Sequence, residues 1–230
     1  MKSSEGKPFF RLIKAILRLF IKAPKIDNRN DSLAEGAIFI CNHVGSTVPL
    51  KLELYLKQPF KFWGTYEMTI SHKARYDYLA NNYFYKKKHN PKAIAHLKAF
   101  FANPFVGMFY KGMQLIPTYQ DGRLLKTIKY SMNYLEANKS LVIFPENSSD
   151  GYHDVLEEYH AGFLFLAKHY HHKTKRNVPI YNMYYRKKDN TLVIDKVYSI
   201  NDLLNDKRDI RDIAADFKNR ANELATIPLD

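Results

Sequence analysis

Apolar positions along this chain follow two rhythms. Short unbroken runs have the length and the β-branched or aromatic content of buried strands: Ala37-Ile38-Phe39-Ile40-Cys41, Phe60 to Trp63, Met113 to Ile116, Leu141-Val142-Ile143-Phe144, Val178 to Tyr185 and Thr191 to Val197. Between them the spacing becomes helical over Pro49 to Lys57, over Glu67 to Tyr110 with breaks at Lys86-Lys87-Lys88-His89-Asn90-Pro91 and Asn103-Pro104, and over Arg123 to Ala137 and Gly162 to His172. A last helix is expected over about Arg208 to Ala225, with Ile210, Ile213, Phe217, Ala221 and Leu224 on one face. Strands alternating with helices predict an α/β fold, a mainly parallel central sheet flanked by helices. The polar run Asp27 to Glu35 reads as a linker. It divides an N-terminal helix and linker, residues 1–30, from a single α/β domain, residues 31–230.

The N-terminal segment has its own pattern. Lys7, Arg11, Lys14, Arg18 and Lys22 recur at helical spacing, with Phe9, Phe10, Leu12, Ile13, Ile16, Leu17, Leu19, Phe20 and Ile21 between them. Pro8 suits a first helical turn and Pro24 would end the helix. A wide apolar face beside a basic stripe is the pattern of an amphipathic helix lying in a membrane interface, where each basic residue near an anionic leaflet contributes about 1 kcal/mol. The same pattern also fits a helix packed on its own domain or a calmodulin-type target.

Composition narrows the class. With 230 residues, 46% hydrophobic and 14% aromatic, the chain can bury a core, which excludes disorder as its main state. The single cysteine, Cys41, excludes an intrachain disulfide framework and is the usage expected of a reducing compartment. No apolar stretch of spanning length is free of charge, and the first residues lack a signal-peptide pattern. The expected location is therefore peripheral, on the cytoplasmic face of the cell membrane. Lys and Arg number 36 against 23 Asp and Glu, a net charge of +13, so the partner should be anionic. Eight of the basic residues against two acidic ones lie in residues 1–30. That concentration points to an anionic membrane surface.

In open α/β sheets ligands bind beyond the carboxyl ends of the strands. The first strand ends in Asn42-His43-Val44-Gly45-Ser46-Thr47, which places a histidine where it can act as a general base near neutral pH. A buried structural histidine would look the same. The fourth apolar run ends in Phe144-Pro145-Glu146-Asn147-Ser148-Ser149-Asp150-Gly151, a polar loop that also contains ordinary helix-capping residues. The aromatic stretch Ala99 to Tyr110 reads as core, as the lining of an acyl-chain groove, or as a membrane-facing surface. His169, His171 and His172 lack evident carboxylate or cysteine partners and read as a solvated face, so no metal site is expected.

Taken in order, these segments resemble the glycerolipid acyltransferase family, the lysophosphatidic acid acyltransferase-like domain, over about residues 36–185. Asn42-His43 match its Asn-His block, Gly112 to Ile116 its second block, Phe144-Pro145-Glu146 its Phe-Pro-Glu block, and Val178-Pro179-Ile180 its last. Tyr159-His160-Ala161-Gly162-Phe163 is similar to the stretch that follows the third block. The resemblance implies transfer of a fatty acyl group from a thioester donor, acyl-CoA or acyl carrier protein, to a hydroxyl of a lysolipid acceptor. His43 would be the general base and Glu146 its companion, with no metal or other cofactor. Asn42, Thr118, Arg123, Asn147, Ser148, Ser149 and His160 fall at positions expected to meet substrate.

The sequence also departs from the family. Where the family places Asp after His43 and its four-residue spacer stands Val48, and loss of a catalytic histidine's carboxylate costs on the order of 10⁴ in rate in the serine protease triad. Glu53, Glu146 and Asp150 are the candidates to replace it. The second-block arginine is replaced by Thr118 or Tyr119, with Arg123 nearest, and Gly-Thr-Arg of the third block by Asn147-Ser148-Ser149. Without bidentate guanidinium clamps an acceptor other than a phosphate monoester is expected. An inactive lipid-binding relative is the alternative. A basic nucleic-acid binder is a second, but no nucleic-acid motif is present and no such partner is expected.

Overall fold

A computed structural model describes residues 8–119, 121–147, 153, 155–205 and 208–229. In chain order it contains α1 (Pro8–Phe20), β1 (Lys25–Asn28), β2 (Ile38–Cys41), α2 (Thr47–Tyr55), β3 (Phe60–Thr65), α3 (Glu67–Ile70), α4 (His72–Tyr78), a π-helix (Leu79–Lys87), α5 (Lys92–Met113) and β4 (Ile116–Thr118). There follow α6 (Leu124–Glu136), β5 (Ser140–Ile143), α7 (Gly162–Thr174), β6 (Pro179–Arg186), β7 (Thr191–Ile194), β8 (Tyr198–Ser199), α8 (Ile200–Asn205) and α9 (Ile210–Leu224). The result is the α/β class that the alternation predicts, with a mainly parallel sheet, flanking helices and an N-terminal helix. The chain divides into two compact units. One holds the described residues of 8–21 and 61–127, the other those of 22–60, 128–147 and 153–229.

In the larger unit β2 is central. It pairs in parallel with β5 on one edge and β6 on the other, so that Ile38 faces both Leu141 and Ile180. Beyond β6 comes β7, antiparallel, and then β1, parallel to β7, while β8 pairs antiparallel with the start of β6. Every residue of β2, β5 and β7 is buried. This is the reason these strands read as unbroken apolar runs: a covered parallel sheet has no wet face. Phe39 stacks on Tyr181 at 5.0 Å, and Phe163 of α7 meets Phe217 of α9 edge-on at 5.4 Å.

The C-terminal helix is fastened to the sheet by polar groups. Arg220 donates from Nε and Nη2 to the two oxygens of Asp195, at 2.7 and 2.8 Å, and Tyr198 donates its hydroxyl to Asp195 Oδ2 at 3.1 Å. Burial alone would raise the Asp195 carboxyl; the hydrogen bonds and charge of Arg220 outweigh it and hold the group below its ordinary value. Asn182, fully buried on β6, donates to the Phe217 carbonyl at 2.7 Å.

In the smaller unit β3 and β4 pair in parallel, with Trp63 opposite Ile116. Met68, Leu79, Ala80 and Ala99 form its core, ringed by Tyr76, Tyr78, Tyr83, Phe84, Val106 and Tyr110. Helix α1 is seated here through Phe10, which is buried and stands 5.5 Å from the Phe109 ring. A Cβ at Gly112 would collide with the Phe10 ring, so the glycine is what lets α1 approach α5.

Three local expectations are corrected. Residues 25–28, with the first part of the expected linker, form β1, because Asp27 and Asn28 take the ladder positions opposite Val193 and Ile194. Met113 belongs to α5, not to a strand, because Gln114 adopts a left-handed conformation (φ 52°) that ends the helix and delays the strand to Ile116. Asn103-Pro104 does not break α5: Pro104 lies on the exposed side, while the buried Asn103 amide donates to the His72 carbonyl at 3.0 Å and accepts from Arg75 Nε at 2.7 Å.

Replacing Arg220 with Ala should lower unfolding stability by about 2–3 kcal/mol, read by urea denaturation at neutral pH. Because the folded Asp195 has the lower pKa, its contribution is complete above about 4, the unfolded value, and is lost as pH falls through the folded value. The difference between wild type and variant should therefore shrink in acid.

Candidate active site

The candidate site follows from strand register. Along the β2–β5 pair Ile38 faces Leu141 and Ile40 faces Ile143, so continuing one step at a time brings His43 opposite Glu146. Both residues lie just past the carboxyl ends of neighbouring parallel strands. The main-chain N–H of His43 donates to Glu146 Oε2 at 2.8 Å. On the other edge the Asn42 side chain continues the β2–β6 ladder: its Oδ1 accepts from the Tyr185 N–H at 2.7 Å and its Nδ2 donates to the Tyr185 carbonyl at 3.2 Å. Asn42 thus fixes the residue that precedes His43.

The imidazole of His43 is half-buried, with Nδ1 inside the protein, and its ring stands edge-on to Phe144 at 4.6 Å. Gly45 adopts φ +57°, which turns the chain from His43 into α2. The turn carries Val48 inward, 1% exposed, so the position where the sequence led one to expect a carboxylate is part of the core. Of the carboxylates expected to replace it, Glu146 grips the His43 backbone, Glu53 is buried on α2, and Asp150 lies outside the described residues.

The segment 145–147 is held against 158–160. Asn147 N–H donates to the Glu158 carbonyl at 3.1 Å, His160 N–H donates to the Pro145 carbonyl at 2.8 Å, and Glu146 bridges to Tyr159. Tyr159, quoted from the sequence only as part of a stretch and given no role there, is buried beside Glu146. Burial raises its hydroxyl well above the ordinary value, and Cys41, Glu146 and Tyr184 push the same way. Cys41 is fully buried and its thiol is raised by that burial, which makes it a poor nucleophile.

The remaining expected residues are placed as follows. The Asn147 side chain donates to Glu158 Oε2 at 2.8 Å, and the His160 side chain is exposed. In the smaller unit Thr118 ends β4, its Oγ1 buried and without a hydrogen-bond partner among the described residues. Arg123 lies on the stacked rings of Tyr66 and Tyr119, 4.7 and 4.5 Å from their centroids. It is neutralised by Asp121, to which Nη2 donates at 2.7 Å, and that bond holds the Asp121 carboxyl down at about 2. On α1, Arg11 and Arg18 are exposed and Lys14 holds its ammonium 5.8 Å above the Phe10 ring. Lys22 lies past the end of α1, exposed, with its carbonyl accepting from Lys51 Nζ at 2.6 Å. Lys7, Ser148 and Ser149 lie outside the described residues. Among the described residues no group of three His, Cys, Asp or Glu side chains is arranged to hold a metal ion.

Tyr159, Tyr185 and the double clasp of Asn42 have no local sequence signal; only pairing partners distant in the chain define them. Replacing Glu146 with Ala would leave the His43 N–H without its acceptor. The expected cost is about 1–3 kcal/mol in denaturant unfolding, with Gln at 146 restoring most of it.

The family model described as Acyltransferase matches residues 66–186, more than half of the chain. The matched span includes Phe144-Pro145-Glu146 and begins after Asn42-His43. No curated protein matches the chain.

Proposed function

The chain belongs to the acyltransferase family and is an acyltransferase, and from that premise we propose that it moves a fatty acyl group from a thioester, acyl-CoA or acyl carrier protein, to a hydroxyl of a lysolipid. The observation that supports this most is the placement of His43 beside Glu146 at the ends of β2 and β5. In the proposed reaction the acceptor oxygen attacks the thioester carbonyl carbon while His43 takes the hydroxyl proton. The tetrahedral intermediate then collapses, the carbon–sulfur bond breaks, and the imidazolium returns its proton to the departing thiolate.

Glu146 is a positioning residue in this scheme. Its carboxylate fixes the His43 backbone, and its negative charge favours the imidazolium that forms. The acceptor is proposed to be a lysophospholipid diester, a glycolipid or another hydroxylated lipid. The reason is the commitment of the polar groups: Arg123 is paired with Asp121 and Asn147 with Glu158, which leaves neither as a clamp for a phosphate monoester. Attachment to the cytoplasmic face of an anionic membrane is proposed through α1. Its Arg11, Lys14 and Arg18 share one stripe, and Leu12, Ile16, Leu19 and Phe20 lie exposed on another.

The test is thiol release from long-chain acyl-CoA and acyl carrier protein thioesters with a lysolipid panel in mixed micelles. Acceptor-dependent release should fall on the order of 10²- to 10⁴-fold in His43→Ala. Release that ignores this change removes His43 from the mechanism. An absence of release with every pair would leave a lipid-binding relative without turnover.

A further inference from the structure

Among the described residues nothing covers the most apolar face of helix α5. Ile94, Leu97, Phe101, Phe105 and Met108 recur at spacings of three and four and form one stripe, with Phe101 64% and Phe105 69% exposed. Phe100 adds a sixth apolar side chain beside it. From Ala99 to Tyr110 the helix carries no charged residue at all. Single exposed apolar residues are ordinary in folded proteins; a continuous apolar stripe of this length marks a surface with a partner.

The stripe is continuous with α1. Gly112 is the next position on the same helical face, and it is there that Phe10 of α1 is seated. Helix α1 therefore occupies the C-terminal end of the stripe and turns its own Leu12, Ile16, Leu19 and Phe20 outward. Charge identifies the occupant. Neither helix contains Asp or Glu, Lys98 and Lys111 flank the α5 stripe on its two sides, and Arg11, Lys14 and Arg18 line one side of α1. A second copy of this chain would bring that cationic rim against itself. An anionic bilayer offers apolar depth to the stripe and headgroup phosphates to the rim.

We infer that α1 and α5 together form a two-helix membrane platform, in which the stripe from Ile94 to Met108 enters the boundary between headgroups and acyl chains. The inference rests on the membrane attachment proposed for α1 and extends it to a second element. Among the described residues no helix is long and apolar enough to cross a membrane. The platform is a surface attachment to one leaflet, with the Lys98 and Lys111 stems reaching back to the headgroups.

The test uses the full chain and vesicles of equal parts phosphatidylglycerol and phosphatidylcholine. Partitioning is measured by flotation for wild type, for Phe101→Ser with Phe105→Ser, for Leu19→Ser with Phe20→Ser, and for Phe105→Leu. An environment-sensitive dye on Leu97→Cys reports depth, since the native Cys41 is fully buried. The α5 pair should weaken partitioning on the order of a hundredfold, Phe105→Leu should retain it, and the dye should shift to the blue on vesicles. If only the α1 pair loses binding and the dye keeps its aqueous emission, the α5 inference is overturned and the attachment through α1 stands. Binding unchanged in both pairs overturns both. A dimer that becomes a monomer in the α5 pair, with vesicle binding intact, assigns the stripe to a second copy and overturns the inference.

Discussion

The site depends on the register of β2 between its two parallel neighbours. A ladder that ends leaves N–H and C=O groups needing partners at the point where the chain leaves the sheet, and buried groups of this kind are costly to leave unmade. Here two side chains take over where the backbone stops. Asn42 pairs both ways with Tyr185, and Glu146 receives the next N–H, that of His43. A histidine at the end of a strand, otherwise free to move with its loop, is therefore fixed by the sheet itself, with Phe144 against its ring.

Charge is distributed with a clear division. In the sheet-bearing unit the strongest pair is internal, Arg220 with Asp195, and it fastens α9 to the strand layer. In the other unit Arg123 is flattened on two tyrosine rings and neutralised by its neighbour Asp121. A guanidinium held in that way stabilises a loop and offers little net charge to a ligand. Helices α1 and α5 carry cations and contain no acidic residue, and both expose apolar stripes. Positive charge and apolar surface thus occur together on these two helices, which is the combination a lipid headgroup region matches.

Val48 gives the loop after His43 an apolar floor. The turn after His43, the glycine with positive φ and the helix that follows are all present, and the position facing inward from the first turn of that helix is filled by a buried valine. An apolar residue there strengthens packing under the loop and offers the histidine no hydrogen-bond acceptor. The negative charge that stays in contact with the His43 segment comes from Glu146, across the sheet.

The sequence by itself determined the alternation of strands and helices, the extent of most elements, the basic stripe of α1, and the two segments, Asn42-His43 and Phe144-Pro145-Glu146, that the structure brings together as a candidate site. These are local properties: periodicity, propensity and turn chemistry act over a few residues and need no knowledge of neighbours. The tertiary structure decided the rest, because each remaining fact is a pairing between residues far apart in the chain. That Glu146 holds the backbone of His43, that Asn42 clasps Tyr185, that Tyr159 bridges to Glu146 and that residues 25–28 form a strand all follow from long-range pairing. The α5 stripe is the sharpest case. A run of phenylalanines without charge has the same pattern whether it is core or surface, and only the exposure these side chains keep among the described residues separates the two.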